Sequence, residues 1–229
     1  MDINSACPVK KVTKKGAGAA LLKNRALLGK IIKKLVSKLR IPVTVKLRTG
    51  FDKRDIGECV RTAEECQANG ASTVFIHGRT MLQGYSGDID YESIKAVKES
   101  LKISVFGSGN IFSPFMAKKM LEETGCDGIL VARGALGNPW IFKNIENYLK
   151  NGETPKNPSL PAKKKVLKAH LAYIEKYKDI GSANKIGLMN KITMWYFKGH
   201  CNTKEIRSRI SKVASYQELI DMIDCLFIS

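Results

Sequence analysis

The sequence lacks any run of 18 apolar residues, so no segment is built as a bilayer-spanning helix. Its opening stretch, MDINSACPVKK, lacks the apolar core of a secretory signal, and a cytoplasmic location is the expectation. Histidine is scarce. His77, His170 and His200 stand alone, at no spacing that suits zinc, so no metal site is expected. The six cysteines, at 7, 59, 66, 126, 201 and 225, form no CxxC pair and come no closer than seven residues, which favours reduced thiols over a disulfide framework. The P-loop pattern GxxxxGK(S/T) is missing. With 19 Gly and 7 Pro in 229 residues, the chain is neither collagen-like nor of low complexity. That length suits one large domain, or one domain with a small companion.

Acid is scarce where base is dense. Residues 1–48 hold 13 Lys/Arg and a single acid, Asp2, whereas residues 49–149 hold 11 against 13. Residues 150–212 hold 15 against 4, and the net charge of the whole is +18. Two basic regions around a near-neutral middle suit a polyanion, nucleic acid ahead of an anionic membrane. The plainer alternative is a lysine-rich chain with solvated faces.

Short Val/Ile-rich runs alternate with helical patterns over the first 140 residues. The strands expected are Ile41–Arg48, Ser72–His77, Ile103–Phe106 and Asp127–Ala132, with a stub at Asp2–Asn4. The helices expected between them are Leu27–Leu39, Asp55–Ala68, Tyr91–Leu101 and Pro114–Glu123, the last capped by Ser113. Such alternation means parallel strands joined by crossover helices. Polar residues end nearly every strand: Asn4, Lys46–Arg48, His77–Arg79, Gly107–Asn110, Arg133–Gly134. A (β/α)8 barrel converges all such ends on one site, whereas an open sheet uses mainly its switch point, so the barrel is the expected fold. Only five strand–helix units can be counted. Residues 151–161, with three Pro, read as a linker. Beyond it only helices are expected, at Ala162–Lys178, Ala183–Phe197, Thr203–Ser211 and Tyr216–Phe227.

Several residues carry candidate chemistry. Cys7, at a strand end among lysines, suits a proton donor or nucleophile, or a small buried hydrophobe. The stretch Lys10–Gly18 is a basic, Gly-containing loop, for phosphate or for solvent. Lys46 and Arg48 share one face of a strand, and a buried lysine is costly unless it meets an anion or an electron-rich ligand. His77 and Arg79 follow at the next strand end. Gly107, Gly109, Arg133 and Gly134 end the last two strands, where barrel enzymes form a phosphate site. Met194–Gly199 (MWYFKG) is an aromatic cluster for RNA stacking or for a helix core.

The stretches DINSACPVKKVTKKGAGAALL, PVTVKLRTGFD, FIHGRTMLQGYSG, GSGNIFSP, CDGILVARGALGNPWIF and MWYFKG together resemble the tRNA-dihydrouridine synthases, closest to their B-type bacterial branch. The resemblance runs from about Asp2 to past Arg207. It implies an FMN-dependent (β/α)8 barrel, here partial at about strands 4–8, over residues 1–150, then the 151–161 linker and a helical tRNA-binding domain over 162–229. It implies reduction of uridine to dihydrouridine in tRNA, with NADPH as reductant. Residue by residue, Cys7 would protonate uracil C5, Asn4 would lie beside the base, and Arg79 would anchor the substrate side. Lys46 and His77 would contact the flavin ring, and Gly107, Gly109, Arg133 and Gly134 its phosphate. The family usually reads NMGCP where Asn4–Pro8 reads NSACP, and GNGD where Gly107–Asn110 reads GSGN. Family members also carry three more strand–helix units ahead of this point. The alternatives are a non-catalytic RNA-binding remnant and a different FMN barrel oxidoreductase acting on a small molecule.

Overall fold

A computed structural model describes residues 1–199 and 203–226. The chain packs as two compact units, Met1–Ala132 and Arg133–Ser229.

The first unit alternates strand and helix. Its order is β1 (Asp2–Asn4), α1 (Lys10–Thr13), a 3-10 turn (Gly18–Lys23), α2 (Arg25–Lys38), β2 (Thr44–Arg48), α3 (Ile56–Ala68), β3 (Thr73–His77), α4 (Tyr91–Ser100), β4 (Ser104–Ser108), α5 (Pro114–Thr124) and β5 (Gly128–Leu130). Each long helix opens on a side-chain cap, which satisfies an amide that the helix itself cannot. Asn24 accepts from Leu27 N, Asp55 from Glu58 N, Asp90 from Ser93 N and Ser113 from Met116 N. Gly125, left-handed at φ 64°, closes α5.

The five strands form one parallel sheet in the order β1-β2-β3-β4-β5. Spatial order follows chain order, with none of the reversal that defines a doubly wound sheet. Val45 and Leu47 of β2, Val74 and Ile76 of β3 and Val105 of β4 are fully buried. They pack in one core with Leu28 and Ile32 of α2, Ala63 and Cys66 of α3, Ile94 and Val97 of α4, and Met120 of α5. One face of the sheet is therefore the helix face.

The second unit opens with a 3-10 turn (Arg133–Ala135) and α6 (Ile141–Asn151). It continues with α7 (Leu160–Tyr177), α8 (Ser182–Tyr196), α9 (Thr203–Ile210) and α10 (Tyr216–Leu226). Leu167 and Leu171 of α7, Met189 and Ile192 of α8, Ile210 of α9, and Leu219 and Ile223 of α10 form its core. The expected end of the last helix, Phe227, lies outside the described residues, as do His200 and Cys201.

The differences from expectation have physical reasons. Strand β2 starts at Thr44 instead of Ile41, because Pro42 has no amide to donate to a ladder. Strand β4 runs on to Ser108 because its register pairs Gly107 with Ile76 and Ser108 with His77. The basic stretch expected as a loop holds a one-turn helix, α1. Helix α6 was not expected; only Ile141 and Ile145 of it are buried, too few for a clear helical period.

Ile76 sits at 0% exposure on the central strand. Ile76→Ala is expected to cost about 2–5 kcal/mol, a range set by the cavity left behind. A drop in the urea midpoint at constant slope would report it; an unchanged midpoint would contradict the described core.

Candidate active site

Successive side chains of a strand alternate between faces, and paired residues of neighbouring strands share a face. With Val45, Leu47, Val74, Ile76 and Val105 on the helix face, the opposite face collects the rest. One row across it is Asn4, Lys46, Phe75, Phe106 and Gly128. The next row, at the C-terminal strand ends, is Arg48, His77, Ser108 and Leu130. The structure thus brings Asn4, Lys46 and His77 onto one face, away from the helices.

Lys46 is half-buried in this row, beside Phe75, whose ring packs 5.2 Å from that of Phe106. Burial pushes the Lys46 ammonium below the ordinary lysine value, and the Arg48 charge pushes it further, while Asp2 pulls it back. Among the described residues its Nζ makes no hydrogen bond or ion pair. His77 is buried, with Nδ1 3.5 Å from Ser108 Oγ and its ring edge-on to Tyr85.

Arg48 is 4% exposed, and among the described residues no carboxylate pairs with it. Its Nε donates to Ala6 O at 2.7 Å; its Nη1 donates to Thr80 O at 2.7 Å and to Gly84 O at 3.0 Å. One guanidinium at the end of β2 therefore ties the loop after β1, next to Cys7, to the loop after β3. Burial lowers its pKa; the Tyr85 and Cys7 groups oppose that shift and Arg79 adds to it. This role has no local spacing signal, because the carbonyls it meets lie 32 to 42 residues away. The alternation that puts Arg48 on the face of Lys46 was the only cue.

Cys7 lies half-buried in the loop after β1. Asn4 Oδ1 accepts from Ala6 N at 3.1 Å, which shapes that loop, and Cys7 O accepts from Ala19 N at 3.0 Å. Gly18 allows this contact: a Cβ there would stand 2.9 Å from Cys7 O. The Ser5 and Thr49 hydroxyls, just past β1 and β2, are buried without a hydrogen-bond partner among the described residues.

Arg79 is 1% exposed and turned inward. Its Nε and Nη2 donate to Gly87 O, and its Nη1 donates to Asn110 Oδ1 at 3.2 Å. It clamps the loop after β3 to the end of β4. Gly107 has a packing reason of its own, since a Cβ there would stand 2.7 Å from Met120 Sδ of α5. Gly109, at φ 143°, leaves no room for a Cβ against Ile89. Arg133 and Gly134 form the 3-10 turn that opens the second unit, with Gly134 buried. Of the MWYFKG cluster, Tyr196 and Phe197 are buried in the helical core, and Met194 and Trp195 pack half-buried against it.

A parallel sheet in chain order, with cations and glycines at its C-terminal strand ends, defines the chain as an α/β protein. The sequence model of the family described as "Dihydrouridine synthase (Dus)" matches residues 1–228, and the chain belongs to that family. It is similar to tRNA-dihydrouridine synthase B of Pseudomonas putida, 38% identical over 217 residues that make up 95% of this chain and 64% of that protein. The same enzyme of Pseudomonas aeruginosa is 38% identical over 93% of this chain and 63% of its own length. The probable tRNA-dihydrouridine synthase 1 of Synechocystis sp. is 38% identical over 98% of this chain and 62% of its own. The chain thus spans a little under two thirds of the length of these relatives. A solved dihydrodipicolinate synthase from Acinetobacter baumannii aligns with 90% of this chain and 67% of its own at 14% identity and a TM-score of 0.42, too distant to bear on function.

Two outcomes follow for the cations of this face. Arg48→Ala is expected to strand three carbonyls, lower stability by about 3 kcal/mol or more, and speed alkylation of Cys7 as its loop loosens. Denaturant unfolding and peptide mass mapping of the alkylated thiol check both, and an unaltered alkylation rate would contradict the tie. For Lys46 the folded pKa is lowered, so the unfolded chain holds the proton more tightly. Stability then climbs with pH from the lowered value up to the ordinary value of 10.5. Lys46→Met is expected to remove that climb and raise the urea midpoint at neutral pH. A lower midpoint would show that Lys46 has a stabilising partner after all.

Proposed function

We propose that this chain carries the strand-tip chemistry and the RNA-binding helices of a flavin-dependent tRNA-dihydrouridine synthase, which reduces the 5,6 double bond of uridine in tRNA. In this reading residues 1–150 are about strands 4–8 of a (β/α)8 barrel. Residues 151–161 are a linker, and 162–229 are a helical domain that contacts tRNA. The sequential order of the five parallel strands supports the barrel. The relatives named as tRNA-dihydrouridine synthases support the reaction.

One observation carries the reading. Lys46 presents a half-buried ammonium without an ion pair, on the sheet face opposite the helices and beside Asn4 in register. A reduced isoalloxazine gathers negative charge at N1 and O2, and such a cation fits it. FMN, reduced by NADPH, would supply the hydride that reaches uracil C6. Lys46 and His77 would hold the ring system, and Gly107, Gly109, Arg133 and Gly134 its phosphate.

The chain's own residues do the rest. Cys7 donates its thiol proton to uracil C5, and Asn4 lies beside the base. Arg48 keeps the Cys7 loop in place through Ala6 O. Arg79 serves the substrate side by holding the 79–87 loop through Gly87 and Asn110. The uridine must leave its stack to reach a barrel mouth, and contacts of the basic regions with the tRNA backbone offset that cost. A cytoplasmic location follows from the substrate. No described helix is long and apolar enough to cross a membrane. Among the described residues, no group of His, Cys, Asp and Glu could hold a metal ion.

The test supplies FMN, NADPH and tRNA free of dihydrouridine, and reads dihydrouridine by nucleoside mass spectrometry. Product is expected, with Cys7→Ala slowed about a hundredfold or more while the yellow flavin spectrum is kept. Equal turnover in that variant would refute the role of Cys7. Tight tRNA binding without product or flavin colour would favour the non-catalytic RNA binder.

A further inference from the structure

We propose that the solvent-facing strip of α7 formed by Lys165, Ala169, Tyr173, Lys176 and Tyr177 is a stacking platform for unpaired nucleotides of an RNA strand. The choice of RNA rests on the proposed action on tRNA; the platform itself rests on the geometry of the helix. Lys165, Ala169, Tyr173 and Tyr177 recur every four residues and so line one face. The opposite face, Leu167, Leu171 and Ile174, is buried in the helical core.

The two tyrosines stay outside although each carries a large ring. They are 65% and 66% exposed, and their rings stack at 5.9 Å between centroids with 22° between planes. Ala169 and Ala172 stand beside Tyr173 and leave its surroundings clear of bulk. Lys176 Nζ lies 5.1 Å over the Tyr177 ring. Charge is sorted along the helix. Lys164 and Lys168 are taken up by Asp224, and Glu175 by Lys185. Among the described residues, Lys165 and Lys176 carry no ion pair, and no acid stands in the strip. A pre-stacked aromatic pair flanked by unpaired cations complements a strand that offers base faces and phosphates together. A duplex offers its phosphates but hides its base faces, so the strip selects unpaired segments.

The test uses the full chain and a short fluorescent oligouridylate, with a duplex RNA of equal length as comparison. The variants are Tyr173→Ala with Tyr177→Ala, Tyr173→Phe with Tyr177→Phe, and Lys165→Ala with Lys176→Ala. All lie at exposed positions. The paired alanines at the tyrosines are expected to weaken oligouridylate binding about tenfold or more, with the slope of log affinity against log salt unchanged. Phenylalanine, which keeps the ring, should bind within about twofold of wild type. The lysine pair should flatten the salt slope by about 1.4, at about 0.7 per lost phosphate contact on a single strand. Wild-type binding that survives the paired alanines would overturn the platform and leave the proposed function standing. So would an equal loss on duplex RNA, or a loss seen only with anionic lipid vesicles. Wild-type protein that binds no RNA at all would overturn both.

Discussion

Parallel strands held in step leave no choice of face, and everything proposed for this protein depends on that constraint. A slip of one residue in β2 would send Lys46 and Arg48 into the helix core and turn Val45 and Leu47 out. Several bonds set the step. Thr44 N donates to Met1 O, Ser72 N to Val43 O and Gly78 N to Ser108 O. Asp127 accepts from Val105 N at 2.8 Å while it pairs with Lys98, which aligns the start of β4 with the approach to β5. Gln67 Oε1 takes Lys102 N and Ile103 N just before β4. Bonds at both ends of the strands thus fix the sheet register. The C-terminal ends also carry the proposed chemistry.

Those C-terminal ends are stiffened by two arginines used as internal ties. A buried guanidinium is expensive unless its donors are satisfied. Arg48 meets three carbonyls, and Arg79 meets Gly87 O and the Asn110 amide oxygen. Arg48 also adds positive charge beside Lys46, whose pKa is lowered first by burial and then by that charge. The two arginines order the loops that flank Cys7 and the 79–87 segment. Charge and rigidity at the strand tips come from the same side chains.

Much of the scaffold was legible in the sequence, because it is written in local pattern. The Val/Ile runs marked the strands to within about three residues at most ends. The caps at Asp55, Asp90 and Ser113 lie at or beside the expected helix starts. What failed to show was non-local or weakly periodic. Helix α6 buries only two apolar side chains and opens at Trp140 without a side-chain cap. The destination of the Arg48 and Arg79 donors depends on loops far away in sequence. A charge type says nothing of whether its hydrogen bonds are spent inside the fold. Gly107 looked like a ligand-approach residue from its strand-tip position, and its packing reason, Met120 of α5, is again a long-range contact. The MWYFKG stretch fitted either stacking or core, and only burial could separate them.

The claim at the centre is that Lys46, unpaired and in register with Asn4, faces a flavin. Titrating the protein into flavin mononucleotide and following the quenching of flavin fluorescence tests it most directly, with wild type set against Lys46→Gln. Saturable quenching by wild type that weakens in the variant is the expected result. No quenching by wild type, or equal quenching by both, would contradict it.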